Sequence, residues 1–120
     1  MCGIFGILNS KSLAANKFSA DLVISSLSHR GPDSQGTWTD INNKIVLGHT
    51  RLAIQDLSDD ASQPFISASG RTVIVFNGEI YNHLKLRTLL PNILWKTHSD
   101  TETLVELVEC YGAENAVTLL

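Results

Sequence analysis

Cys2 could carry a nucleophile and its own general base on a single residue. It follows the initiator methionine, which is normally removed when the next side chain is small, as cysteine is. Removal would leave a thiol, with an ordinary pKa of about 8.5, on the same residue as an α-amine with an ordinary pKa of about 7.7–8.0. Near neutral pH the amine can accept a proton, and the thiolate is a strong nucleophile. For Cys2 alone, the alternative is a small residue that begins a buried strand.

Asn77 and Gly78 follow residues 72–76, the segment with the strongest β-strand composition. An Asn-Gly pair by itself is typical of a hairpin turn. The segment after the pair has a helical pattern, however, which a simple hairpin would not have. A side-chain amide next to a glycine N–H supplies two neutral donors, as an oxyanion hole requires when a thiolate attacks a carboxamide.

Three charged residues could bind a carboxylate and an ammonium group of a substrate. Arg51 ends an apolar segment, and its guanidinium is either surface charge or a bidentate partner for a substrate carboxylate. Asp100 precedes an apolar helical pattern, where a carboxylate can cap the helix, bind an ammonium group, or do both. Glu79 could help Asp100 to bind the ammonium group.

No metal site is expected from the spacing of the histidines. They lie in separate segments, and no CxxC or HExxH motif is present. The four are His29, His49, His83 and His98.

Composition excludes several classes of protein. An apolar fraction of 43% and a charged fraction of 18% are those of an ordinary folded domain. A net charge of −3 without a Lys/Arg run argues against nucleic-acid binding, and no apolar run approaches the ~20 residues of a membrane span. With two cysteines and no leader, a reduced, cytoplasmic location is expected. The sequence is compatible with a homodimer but does not indicate one.

Strands and helices alternate along the sequence. The apolar and β-branched runs predict strands at 4–8, 36–39, 45–49, 72–76 and, weakly, 93–96. Helical periodicity predicts helices over 19–29, with Ser19 as the cap, over 81–90 and over 101–111, where Cys110 is expected to face the core. Residues 9–16 are predicted to be a turn. An apolar segment from Glu114 is still running at Leu120, so a fragment is expected.

Five motifs, in order from residue 2 to about residue 110, resemble the class II (N-terminal-nucleophile) glutamine amidotransferases. The His-Arg-Gly-Pro-Asp and Asn-Gly-Glu-Ile-Tyr-Asn forms are most similar to the glutaminase domain of asparagine synthetase (glutamine-hydrolysing). The motifs are Met1-Cys2-Gly3-Ile4, His29-Arg30-Gly31-Pro32-Asp33, Gly48-His49-Thr50-Arg51-Leu52, Phe76-Asn77-Gly78-Glu79-Ile80-Tyr81-Asn82 and Ser99-Asp100-Thr101-Glu102.

The resemblance implies a role for each candidate residue. Cys2 would be the nucleophile after loss of Met1, and its α-amine would be the base, acting directly or through water. The turn 30–33 would shape the loop near the site. Asn77 and Gly78 would form the oxyanion hole, and Arg51 would bind the α-carboxylate of the substrate. Asp100, with Glu79, would bind the α-ammonium. Backbone contacts to the substrate would come from Leu52, Ala53, Ile54 and Gln55.

The resemblance also implies a fold and a reaction. The fold would be α+β, a four-layer αββα sandwich of two antiparallel sheets, truncated here at its C-terminal end. The reaction would be hydrolysis of glutamine to glutamate and ammonia through a γ-glutamyl thioester. The domain itself would need no cofactor. A synthetase domain, absent from this chain, would use ATP and Mg²⁺ to activate aspartate for the ammonia.

Two other functions remain open at this stage. One is a glutaminase that supplies ammonia to a different acceptor, since synthetase-like proteins share the same motifs. The other is a glutamine-binding remnant without catalysis, which the presence of every proposed catalytic residue disfavours.

Overall fold

Helices and antiparallel strands alternate in the computed structural model, which describes residues 1–8, 13–42, 44–53 and 56–120 and no side chain of residues 13–18. The elements are β1 (Gly3–Leu8), α1 (Leu13–Leu27), β2 (Ser34–Asp40), β3 (Ile45–Arg51), a 3-10 turn (Asp59–Ala61), β4 (Phe65–Ile66), β5 (Val73–Ile74), α2 (His83–Arg87), α3 (Asp100–Tyr111) and α4 (Ala113–Val117). The predicted α+β class with antiparallel sheets is confirmed.

The chain divides into two units. The first consists of Met1–Ile54, Ser62–Pro64 and Val75–Asn77. The second consists of Gln55–Ala61, Phe65–Ile74 and Gly78–Leu120. None of the described helices is long and apolar enough to cross a membrane.

A three-stranded antiparallel sheet forms the first unit, with β3 between β1 and β2. Gly3 pairs with Thr50 on one side of β3, and Ser34 pairs with Arg51 on the other. The predicted β2–β3 pair is confirmed, although Asn43 of its turn lies outside the described residues. This register places the start of the chain beside the end of β3.

Helix α1 packs on β1 and β3, and two glycines of these strands lie where a larger residue would not fit. Thr50 Oγ1 accepts a hydrogen bond from Gly3 N and donates one to Leu27 O, both over 3.1 Å. A Cβ on Gly3 would lie 2.6 Å from that hydroxyl oxygen. A Cβ on Gly48 would lie 2.1 Å from the ring of Phe5 on the neighbouring strand. These glycines therefore permit the close pairing of β1 with β3.

The first helix begins earlier than predicted. It starts at Leu13, so Ser19 is an interior residue and not the cap, and the predicted turn is wrong over residues 13–16. Leu13, Ala14 and Ala15 are good helix formers, which explains the extension. The rest of the predicted turn, residues 9–12, lies outside the described residues.

Helix α3 is the centre of the second unit and packs against α2, α4 and β4. Every residue from Asp100 to Leu107 is buried, including two glutamates. Glu106 accepts a hydrogen bond from Ala68 N, at 2.6 Å, in the loop between β4 and β5. Glu109 accepts hydrogen bonds from Ser69 Oγ, at 2.9 Å, and from Arg71 Nε, at 2.7 Å. Carboxylates of α3 thus hold the β4–β5 hairpin.

Four predictions for residues 72–111 need correction. Only Val73–Ile74 of the predicted strand 72–76 is paired, and residues 93–96 form no strand. The helix predicted over 81–90 is regular only from His83 to Arg87, because i→i−3 turns replace it up to Leu90, ahead of Pro91. Cys110 is exposed, since it lies outside the buried stretch of α3.

Candidate active site

Cys2 contacts the backbone immediately after β3. The N–H of Leu52 donates a hydrogen bond to Cys2 Sγ over 3.3 Å, and the thiol lies 3.7 Å from Leu52 O. Cys2 is half-buried, whereas Met1 is 74% exposed. The backbone of Leu52 thus donates to the sulfur and also lies within reach of its S–H, and these contacts fix the position of the thiol at the end of β3.

The turn 30–33 holds both segments that meet at Cys2. Arg30 Nε donates to Cys2 O over 3.0 Å, and Asp33 Oδ2 accepts from Ala53 N at 2.8 Å. Asp33 N donates to Arg51 O at 3.0 Å. A Cβ on Gly31 would lie 2.3 Å from the Thr50 carbonyl, so the turn can approach β3 this closely only with glycine. The turn therefore fixes the backbone on either side of the sulfur.

Arg51 and His49 lie on the same face of β3, since side chains alternate along a strand. Arg51 is 8% exposed and His49 is 1% exposed. The buried Nε2 of His49 has no hydrogen-bond partner among the described residues. Burial, and then the positive charge of Arg51, lower the pKa of His49 from 6.5 to about 4. The imidazole beside the candidate carboxylate-binding arginine is therefore neutral at physiological pH.

Asn77 is exposed at the end of a segment held by a glutamine side chain. Phe76 N donates to Gln63 Oε1 over 2.6 Å. The backbone at Gln63 in turn approaches β2 so closely that a Cβ on Gly36 would lie 2.1 Å from its carbonyl oxygen. Gly78, the next residue, is also exposed and belongs to the second unit. No paired strand follows, so the hairpin interpretation of this Asn-Gly pair does not apply.

Asp100 is not the cap of α3. Ser99 is the N-cap, and its Oγ accepts the hydrogen bond from Thr101 N at 3.1 Å. Asp100 is the first helical residue and is 6% exposed. Its Oδ2 accepts a hydrogen bond from Ile80 N over 2.8 Å, which ties the backbone after Glu79 to the start of α3. The Asp100 carboxylate thus joins the start of α3 to the backbone at Ile80, whereas Glu79 is exposed.

The predicted site residues fall into two groups. The first unit contains Cys2, Arg51, Leu52, Ala53 and Asn77, with direct contact between Cys2 and Leu52. The second contains Gly78, Glu79 and Asp100. Ile54 and Gln55 lie outside the described residues. Within the described ranges, no group of three His, Cys, Asp or Glu side chains could hold a metal ion.

Sequence reasoning missed two residues that support the site. Thr50 joins β1 to α1 one position before Arg51, and Gln63 holds the segment before Asn77. Neither a threonine in a strand nor a glutamine in a loop carries a signal of such a role. Only the packing of distant segments reveals these contacts.

The given sequence matches a protein family along its whole length. Residues 1–120 match the family described as glutamine amidotransferase domain. This chain belongs to that family.

Curated relatives of this glutamine amidotransferase domain carry more than one name. A probable asparagine synthetase (glutamine-hydrolyzing) of Schizosaccharomyces pombe is 42% identical over 93% of the chain and 20% of its own length. Asparagine synthetase (glutamine-hydrolyzing) 2 of Bacillus subtilis is 36% identical over 93% of the chain and 15% of its own length. Amidase chry2 of Gibberella zeae is 33% identical over 93% of the chain and 18% of its own length. The chain thus spans about a fifth or less of these relatives.

Proposed function

We propose that this domain hydrolyses glutamine to glutamate and ammonia, with Cys2 as the nucleophile. The observation that carries the proposal is the hydrogen bond from Leu52 N to Cys2 Sγ, at 3.3 Å, in a member of the glutamine amidotransferase domain family. It places the second residue of the chain at a strand end whose backbone is fixed by the turn 30–33.

The proposed chemistry requires removal of Met1. With Met1 attached, the nitrogen of Cys2 is an amide and cannot accept a proton. After its removal, the α-amine takes the thiol proton and the sulfur attacks the side-chain amide carbon of glutamine. The proton passes to the leaving nitrogen, ammonia departs, and a γ-glutamyl thioester remains. Water activated by the same amine then hydrolyses the thioester and releases glutamate.

The other candidate residues take the roles that their chemistry suits. Asn77 Nδ2 and the N–H of Gly78 are the proposed oxyanion donors, since both are exposed at the end of a fixed segment. Arg51 binds the α-carboxylate, because its guanidinium can form two parallel hydrogen bonds to it. Leu52, Ala53, Ile54 and Gln55 are proposed to bind the substrate through backbone groups, of which the structure describes those of Leu52 and Ala53. Asp100, assisted by Glu79, binds the α-ammonium.

We further propose that the ammonia is used by an ATP- and Mg²⁺-dependent asparagine synthetase domain of the same protein. Relatives named asparagine synthetase, of which this chain spans 20% or less, support this. The αββα sandwich of the N-terminal-nucleophile hydrolases is the architecture proposed for this domain. A different ammonia acceptor is the second candidate, because a relative of similar coverage is named an amidase.

Replacement of each cysteine tests the proposed nucleophile. Cys2→Ala should reduce glutamine hydrolysis by at least about a thousandfold, because no other group in the proposed site can form the thioester. The matched control is Cys110→Ala, since Cys110 is the other free cysteine and is exposed on α3. A Cys2→Ala protein that keeps its activity would exclude the proposed function.

A further inference from the structure

Arg87, the last residue of α2, donates side-chain hydrogen bonds to three other residues. Its Nε donates to Thr103 Oγ1 over 2.9 Å. Its two terminal nitrogens donate to backbone carbonyls, Nη1 to Thr97 O at 2.9 Å and Nη2 to Ser99 O at 2.8 Å. The guanidinium carbon also lies 4.2 Å from the centre of the Trp95 ring. The side chain is 12% exposed, so these contacts are largely shielded from water.

Glu102 holds the same loop from the helix side. Its carboxylate accepts hydrogen bonds from Lys96 N at 2.9 Å and from Thr97 N at 2.8 Å. Glu102 Oε2 lies 3.8 Å from Arg87 Nη2. Burial lowers the pKa of Arg87, and the charge of Glu102 opposes that change. The loop before α3 is therefore fixed by a buried pair of opposite charges.

This network ends at Asp100. Arg87 binds the carbonyl of Ser99, the residue that caps α3 and directly precedes Asp100. Asp100 Oδ2 in turn accepts the N–H of Ile80 over 2.8 Å. Displacement of the Ser99 peptide would therefore shift both the Asp100 carboxylate and the backbone next to Glu79.

We infer that Arg87 is a positioning residue that sets the Asp100 carboxylate for the α-ammonium of glutamine. The inference rests on the proposed function, which assigns the ammonium to Asp100. Arg87 does not itself touch the substrate in this account. Its guanidinium fixes two carbonyls at once, which a lysine cannot do with the same planar geometry.

The purely structural alternative is that Arg87 only attaches α2 to α3. The two roles differ in what they do to substrate preference. A structural defect lowers the activity toward every substrate by the same factor. A displaced Asp100 selectively weakens recognition of the α-amine.

The experiment compares glutamine with 4-carbamoylbutanoate, which is glutamine without its α-amine. Values of kcat/KM are measured for both substrates in the protein at its full natural length, with and without Arg87→Gln. The ratio of kcat/KM for glutamine to kcat/KM for 4-carbamoylbutanoate should fall about tenfold in the variant. For glutamine, the loss should be mainly a rise in KM. The matched control is Arg71→Gln, because Arg71 binds Glu109 near the opposite end of α3, and its ratio should not change.

The outcomes separate the inference from the function on which it rests. A wild-type protein that prefers glutamine, with an unchanged ratio in Arg87→Gln, would overturn the inference alone. A wild-type protein that does not hydrolyse glutamine would overturn the proposed function and the inference with it. A wild-type protein that hydrolyses both substrates equally well would overturn the assignment of the α-ammonium to Asp100, and with it the inference.

A second measurement needs no activity and uses a milder change, in case Arg87→Gln does not fold. In Arg87→Lys, hydrogen–deuterium exchange should be faster in the peptide that contains Ile80, whose N–H is bound by Asp100. Arg71→Lys should leave that exchange unchanged. Unchanged exchange in Arg87→Lys would show that Asp100 does not depend on Arg87.

Discussion

The N–H of Leu52 donates a hydrogen bond to Cys2 Sγ over 3.3 Å, between residues 50 positions apart in the sequence. The pairing of β1 with β3 produces this contact, because Gly3 lies opposite Thr50. The turn 30–33 then holds both sides of it, through Cys2 O and Ala53 N. Cys2 is thereby held by hydrogen bonds at its sulfur and at its carbonyl oxygen.

Replacement of Arg51 should mainly affect substrate binding. Arg51→Lys keeps the charge but loses the planar pair of donors, so KM for glutamine should rise about tenfold or more while kcat changes little. Steady-state kinetics of glutamine hydrolysis measure this. Arg71→Lys is the control, because Arg71 is an exposed arginine outside the proposed site. A fall in kcat at constant KM would mean that Arg51 acts on the transition state instead.

Replacement of Asn77 should mainly affect the chemical step. An oxyanion donor acts on charge that exists only in the transition state, so Asn77→Ala should lower kcat by about 10²–10³ and leave KM nearly unchanged. Asn77 is exposed, so the variant should fold normally. Asn92→Ala, at another exposed asparagine, should retain full activity. If Asn77→Ala raised KM alone, its role would be ground-state binding.

His49 should make the protein less stable in mild acid. Its pKa is 6.5 when unfolded and about 4 in the folded protein. Between these values the unfolded chain binds a proton that the folded protein does not, so stability falls as pH falls from 6.5 and the loss ends below about 4. The free energy of unfolding should fall by about 2 kcal/mol between pH 7 and pH 5 because of this residue.

Urea titrations at the two pH values measure the effect. His49→Gln removes the titrating group, so its stability should depend less on pH over this interval by about the same amount. His29→Gln, which replaces an exposed histidine, is the control. Equal pH dependence in wild type and His49→Gln would contradict the assigned protonation state.

The sequence predicts the first sheet better than the second unit for a physical reason. β1 and the first half of β3 are apolar runs, and the polar turn between β2 and β3 indicates that these two strands pair. In contrast, α3 buries Glu102 and Glu106, which bind backbone N–H groups of distant loops. Periodicity treats such glutamates as solvent-facing residues.

The candidate site residues are selected by residue type, and the structure adds the contacts that support them. Cys2 and Arg51 could be selected because their chemistry is distinctive. The choice of Ser99 over Asp100 as the cap of α3 depends on tertiary contacts, since Asp100 is used by Ile80. The role of Arg87 likewise depends on carbonyls whose position no local pattern specifies.

The most direct test of the account is the mass of the protein after reaction with a glutamine analogue that carries an electrophile in place of its amide. We predict a chain without Met1 that carries one adduct, located on Cys2 by peptide mapping, with Cys110 unmodified. Fully active protein that retains Met1, or inactivation by an adduct on Cys110, would contradict the proposed N-terminal nucleophile.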